Sequence, residues 1–428
     1  MTRPDAPELS RPVPSGTLWG ALFSLPVIVS ALGFFVDVYD MLIFSIVRVP
    51  SLQSLGLSKA EVSATGAVIL YCQQAGLLLG GILWGILGDR RGRMSVLFGS
   101  IITYSLANLA CGLVPYVTFM APTSYYALMR FVAGVGLSGE IGAAMVLVAE
   151  ILPRAIRGYG TSVVAGVGYL GAGAAYLTHS LFNWQTAFFV GGGMGLALLV
   201  LRASVLESGL FARLEKDHRH VSRGNFGYFF STPQRTWKYL RCVAVGLPTW
   251  FIVGILATFA NEFGEAMALT TPLEPGRCVM LLYLGLAAGD LVSGPLSQWL
   301  RSRRRAVACL LISSLCLCGV YLFGGLKTAA SLYALFLLLG FCTGYIAMYL
   351  TMVAEQYGTN LRATATTSVP SLVRGLLIPM TLTFQALKPA VGTLPAAGLL
   401  GLGIFGLAFW SLAIMDETFA NDLDFIEE

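Results

Sequence analysis

TLWGALFSLPVIVSALGFFVDVYDMLIFSIVR, residues 17–48, is an apolar run long enough to cross a hydrocarbon core. Crossing takes about 20 residues of helix. Within the run, FFVDVYDM (34–41) carries Asp37 and Asp40 three residues apart. A helix places both on nearly one face. A charged side chain at the bilayer centre costs about 2.5–3.5 kcal/mol on insertion scales. Two carboxylates on one stripe therefore imply a compensating task in the working protein.

The rest of the chain repeats that character. Of 428 residues, 56% are apolar and 11% charged, and mean hydropathy is +0.75. Soluble domains carry about 25% charged residues. A soluble enzyme is excluded. A β-barrel would show alternating segments of about 10 residues instead. The expectation is an all-α polytopic membrane protein with twelve spans near 17–48, 61–88, 94–115, 124–150, 158–180, 184–205, 239–262, 277–300, 305–325, 330–354, 364–387 and 394–415. Residues 1–16 read as a polar, Pro-rich tail, 17–205 as one six-helix bundle, 206–238 as a basic linker, 239–415 as a second bundle and 416–428 as an acidic tail. The first apolar run is too long for a signal-peptide core and reads as a retained helix. The eight cysteines lie in apolar segments, read as small buried residues, and none has metal-ligand spacing with His.

The net charge of +5 is unevenly placed. Most Lys and Arg flank the N-terminus, the linker and the even-to-odd loops, while Arg48, Lys59, Arg277, Lys327 and Lys388 fall on the other side. The positive-inside rule then puts both termini in the cytoplasm. Arg130 and Arg374 remain inside spans.

The halves are related. VAEILPRAIR (148–157) and VAEQYGTNLR (353–362) share Val-Ala-Glu and a following Arg at one spacing. Gly139-Glu140-Ile141 matches Gly344-Tyr345-Ile346 at the same offset of 205. GLLLGGILWGILGDRRGR (76–93) parallels GDLVSGPLSQWLRSRRRA (289–306). Tandem helical halves are a transporter architecture, with the substrate site near the midplane between them.

GILGDRRGRMSV (85–96) sits between spans 2 and 3. Gly81, Gly85 and Gly88 make a small-residue face for close helix approach, Gly92 permits a tight turn, and Asp89 can accept amide hydrogen bonds or pair with Arg. The stretch resembles the signature loop of the major facilitator superfamily. RFVAGVGLSGE (130–140), with Arg130, Gly134, Gly136 and Gly139, EILPRAIRG (150–158) and LESG (206–209) resemble motifs of its sugar-porter and metabolite–proton symporter branches. The resemblance implies a cytoplasmic latch of Gly85, Asp89, Arg90, Gly92, Arg93, Glu150, Arg157 and Glu207, with Glu355 and Arg362 as its second-half counterpart. Arg91 and Met94 depart from the family pattern, and Ser302 stands where the second copy would repeat Asp89, so the first-half latch is expected to be the stronger.

At 1.5 Å per residue, Asp40 and Arg130 sit at matching depth, each about 9–12 Å from the outer end of its span. Tyr39-Asp40 and Arg130 resemble the proton-coupling pair of sugar porters. The residues leave two readings open, coupling or a structural brace between spans 1 and 4. Asp37 and Asp40 would titrate as a coupled pair. Glu140 is a second candidate for proton or cation handling. Arg374, flanked by Pro370 and Pro379 in span 11, reads either as the ligand of a substrate anion or as a partner of Asp290 on span 8. Gln73, Gln74, Tyr39, Tyr345 and Asn261 are candidate pocket-lining residues, with Tyr71, Tyr349 and Trp250 as further aromatics.

The expected function is proton-coupled symport of a small organic anion of carboxylate type by alternating access, not an enzyme activity. The alternatives are a proton-antiporting exporter, against which span 5 (GVGYLGAGAAYL, 166–177) lacks a Gly-Pro motif, or an uncoupled facilitator. Expected partners are the substrate, protons and membrane lipid, with no nucleic acid, no cofactor and no metal. The expected setting is a bacterial inner membrane, multi-pass and monomeric.

Overall fold

A computed structural model describes residues 20, 22–91, 93–140, 144, 147, 148, 151, 152, 156–207, 226–358 and 361–419. All regular elements among them are helical. In chain order they are α1 (Leu25–Ser54), α2 (Lys59–Arg91), α3 (Arg93–Gly112), α4 (Pro122–Leu137), α5 (Arg157–Leu181), α6 (Trp184–Glu207), α7 (Pro233–Phe251), α8 (Ala260–Ala266), α9 (Pro275–Leu300), α10 (Arg303–Phe323), α11 (Ala329–Thr343), α12 (Ile346–Gln356), α13 (Arg362–Gly375), α14 (Leu377–Val391) and α15 (Thr393–Ile414).

Local chemistry sets the ends. Ser58 and Glu61 form a reciprocal capping box at the start of α2, the Ser58 amide donating to the Glu61 carboxylate at 2.8 Å. Pro begins α4, α7 and α9, where its missing N–H is not needed. Thr328 caps α11 through the Ser331 amide.

Nine helical segments among the described residues are long and apolar enough to span a membrane, against the twelve expected. The three expected spans outside this count are those of α4, α5 and α13 with α14. α4 is described for 16 residues and contains Arg130. α5 is rich in glycine and hydroxyl residues. α13 (RATATTSVPSLVRG) is polar, and its span is interrupted at Leu376 before α14 continues it.

Helices before residue 208 pack chiefly on one another, α1 on α5 and α6, α2 on α4, and α3 on α4 and α6. Those after residue 225 do the same, α7 on α15 and α9 on α11. Two seams join the groups, α5 against α9 and α2 against α13. α1, apolar apart from Asp37, Asp40 and a few polar residues, is buried around most of its circumference, as a largely apolar central helix must be. Gly134 and Gly136 point opposite ways on α4, one onto the α2 backbone at Gln73 and the other onto α3 at Tyr104, and Gly139 fits against Trp84. Any side chain there would separate the three helices. Cys111, Cys242, Cys278 and Cys318 are buried as expected, whereas Cys309 and Cys316 lie on the exposed face of α10.

Candidate functional site

On the side opposite the linker a cavity of ≈ 380 Å³ opens between the two groups of helices. Its walls come from α1 and α2 on one side and from α7 and α14 on the other. Gln73, Gln74, Tyr71, Trp250 and Asn261, candidates from the sequence, are among the residues that line it. Gln73 donates to the Met41 carbonyl at 3.0 Å, which leaves its carbonyl oxygen, like that of Gln74, without a partner. Arg48, Glu262 and Gln385 stand near the mouth; Glu262 pairs with Lys388 at 2.5 Å, and Arg48 is within electrostatic reach of Glu262.

Met41, Trp250 and Val253 form the floor of this cavity and the roof of a smaller chamber, ≈ 30 Å³, that Arg374 lines. The Arg374 guanidinium lies 5.4 Å from the Trp250 ring centroid, its Nε is buried without a partner, and no carboxylate among the described residues pairs with it. Phe34 and Met41 line the chamber too. Asp37 is one turn from each, so it shares their face of α1. It is 4% exposed, has an oxygen without a partner, and is within electrostatic reach of Arg374.

The helix breaks explain this floor. Pro248 precedes a π-turn over 252–257, α11 stops at Gly344, and α13 gives way to α14 at Leu376. Beside those breaks, Trp250 and Val253 line both spaces, Leu377 the larger and Ile346 the smaller. Irregular backbone at this depth is tolerated where it lines a cavity.

A column of buried charge runs inside the first group of helices. Arg130 donates to the main-chain carbonyl of Asp40 at 3.0 Å and to the Asn108 side chain at 2.8 Å, so the expected Asp40–Arg130 ion pair is replaced by a main-chain contact. Both Asp40 carboxylate oxygens are buried without a partner. A side chain at Gly191 of α6 would collide with the Asp40 Oδ1, so only glycine fits there. Asp40 thus faces the bundle interior rather than either cavity. Toward the linker side, Glu140 forms a two-pronged pair with Arg202 of α6, one bond being 3.0 Å. Gly33 makes room for that pair. Asp37 lies between, within electrostatic reach of Glu140, Asp40 and Arg202, with the unpartnered Tyr104 hydroxyl alongside.

Several sequence expectations need correcting. Tyr39 donates to the Ala187 carbonyl at 3.0 Å and packs away from the cavities. Tyr345 hydrogen-bonds Thr249 and the Val245 carbonyl, each at 3.1 Å, and lines neither space. Asp290 accepts the Ala347 amide at 3.0 Å, so it caps α12 instead of pairing with Arg374. Glu355 takes Arg303 at 3.2 Å rather than Arg362, which donates to the Ala354 and Tyr357 carbonyls.

In the latch region, Gly85 meets the Thr364 backbone and Gly81 the Ser371 side chain, closing α2 on α13 at the linker side. Arg90 is exposed. Gly92 and Glu150 lie outside the described residues, as do the side chains of Asp89, Arg93, Arg157 and Glu207. In the second copy, Ser302 donates to Glu417, whose carboxylate also accepts the Arg303 amide at 2.9 Å. A residue beyond α15 supplies the carboxylate that the second motif lacks.

Sequence reading missed Arg202, Asn108, Arg48 and Glu417. Arg202 looked like one more basic residue at a helix end. Its one signal is its place three residues inside the apolar run that ends at 205.

The family model described as Major Facilitator Superfamily matches residues 29–378. A niacin transporter of Acinetobacter baylyi is 26% identical over 367 residues, covering 78% of this chain and 80% of the relative. A gentisate transporter of Corynebacterium glutamicum is 24% identical over 351 residues, with 77% and 73% covered. Among solved structures, a proton:xylose symporter bound to 6-bromo-6-deoxy-D-glucose superposes with a TM-score of 0.71 at 14% identity, over 95% of this chain and 98% of that one. At that identity the likeness shows the fold alone.

Proposed function

The chain belongs to the Major Facilitator Superfamily, and on that footing we propose that it is a proton-coupled symporter of a small organic anion, a ring-bearing carboxylate. It is a multi-pass membrane transporter, not an enzyme. In this reading twelve spans form two six-helix bundles, with both termini and the linker in the cytoplasm of a bacterial cell.

One observation carries the proposal: Arg374, a buried guanidinium with no acid partner among the described residues, beside an indole, on the wall of a chamber beneath the larger cavity. A buried charge of this kind requires a counter-ion or water. A carboxylate fits its planar fork, and Trp250 offers a face for a flat ring. The relatives named for niacin and gentisate, both ring carboxylic acids, support the same substrate class. Asp37, facing Arg374 from α1, is the carboxylate whose charge would change with each proton carried. Asp40 and Glu140 extend it into the first bundle. Gln73, Gln74 and Asn261 orient the anion on its way in. Two features favour a second reading, an uncoupled facilitator: the Arg130 contact is to main chain, and the Glu140–Arg202 pair looks like a brace.

Proteoliposome uptake separates the readings. With nicotinate and gentisate as probes, an inward proton gradient should drive accumulation of at least one. Asp37→Asn should abolish accumulation and retain exchange. Arg374→Ala should weaken binding about 10- to 100-fold, the value of a charged hydrogen-bonded contact. Accumulation by Asp37→Asn equal to wild type ends the coupling claim, and unchanged affinity in Arg374→Ala removes the anion site.

A further inference from the structure

We propose that the groove where α9, α10 and α15 end on the linker side binds the headgroup of an anionic phospholipid. The groove has a volume of ≈ 720 Å³. Arg301, Arg304 and Arg305 form its rim, and Ala308, Phe409 and Leu412 its floor. All three helices are apolar enough to span a membrane, so the rim lies where they leave it. Exposed indoles mark the same level: Trp299 is 80% exposed, and Trp410 meets Trp237 edge-on at 6.1 Å. Tryptophan concentrates at membrane–water boundaries.

The rim charge is available. Arg301 takes a left-handed backbone conformation (φ 48°), so α9 ends and α10 begins within two residues and the arginines gather on one edge. Arg301 and Arg305 are exposed and pair with no acid among the described residues. Arg304 donates one bond, 2.6 Å, to the Ala413 carbonyl. Glu417 also lines the groove, but its carboxylate already accepts Ser302 and the amides of Arg303, Thr418 and Phe419. Burial alone would push that carboxyl up, yet these donors hold it below its ordinary range.

Guanidinium forks match phosphate oxygens two at a time. A soluble anion would satisfy the rim and leave the apolar floor bare. A phospholipid satisfies both, its phosphate on the arginines and its chains along the part-exposed Ala308 and Phe409. Basic pockets at helix ends are where lipid headgroups are recognised electrostatically.

The test is native mass spectrometry of the purified full chain with added cardiolipin, phosphatidylglycerol or phosphatidylcholine. Wild type should retain about tenfold more of the anionic lipids than of phosphatidylcholine, and Arg301→Gln/Arg304→Gln/Arg305→Gln should erase the difference. Should the triple variant unfold, Arg305→Gln alone, at an exposed side chain, should reduce retention severalfold. Equal retention of phosphatidylcholine, or anionic retention unchanged in a folded variant, overturns the proposal. So does full displacement by inorganic phosphate. Anionic retention that appears only after deletion of the acidic residues 421–428 would assign the groove to the chain's own tail and overturn it as well.

Discussion

Asp37 and Asp40 look equivalent in sequence and are not so in space. Three residues leave two side chains about 60° apart around a helix, enough to face Asp37 toward the Arg374 chamber and Asp40 toward Gly191 and Asn108. The periodicity located the stripe but could not say which edge met the partner bundle. Arg202 is the converse case, a residue whose importance depends on a contact 62 positions away. Removing one member of a buried pair costs about 3–5 kcal/mol, because the other charge is stranded. Arg202→Gln should therefore lower the melting temperature in detergent markedly, and Glu140→Gln in the same protein should restore part of it. A melting temperature unaltered by Arg202→Gln would mean that water or lipid reaches Glu140.

The repeat read from sequence has a structural counterpart at the level of helices. The helix containing Arg130 is interrupted at Ser138-Gly139, and its second-half equivalent at Gly344-Tyr345, within one residue of the matching point, the glycines Gly139 and Gly344 being common to both. Here Glu140 takes Arg202, while Tyr345 bonds Thr249, so one architecture carries a charge in the first half and a neutral hydroxyl in the second. The glycine face of α2 was also legible, and it meets α13 with no space to spare. Gly81→Val would drive a branched side chain into Ser371. We expect uptake to fall at least about tenfold with the fold intact, since overpacking a helix seam costs about 1–3 kcal/mol. Normal uptake by a stable Gly81→Val protein would show that this seam need not close.

For the whole molecule, the cavity opens on the side of Arg48 and Glu262, and the linker side is shut by α2 against α13. Alternating access, as proposed, exchanges these two conditions. In a background with the eight native cysteines replaced, Ala67→Cys and Gln385→Cys, which line the open cavity, should react with an impermeant maleimide added outside. Thr364→Cys in the shut seam should not, and saturating substrate should alter the rate at the first two. Equal labelling at all three positions would contradict a single open side. Composition and the length of the apolar runs alone determined that this chain is a helical membrane protein, and the resemblance of its glycine-and-charge motifs to a known signature pointed to the superfamily, because both are read from neighbours within a few turns of one helix. Tertiary structure decided which charges meet. The rotation of each helix about its axis is fixed by packing against others far away in sequence, and it gave Arg202 to Glu140, Asp290 to the start of α12, and left Arg374 without an acid partner among the described residues.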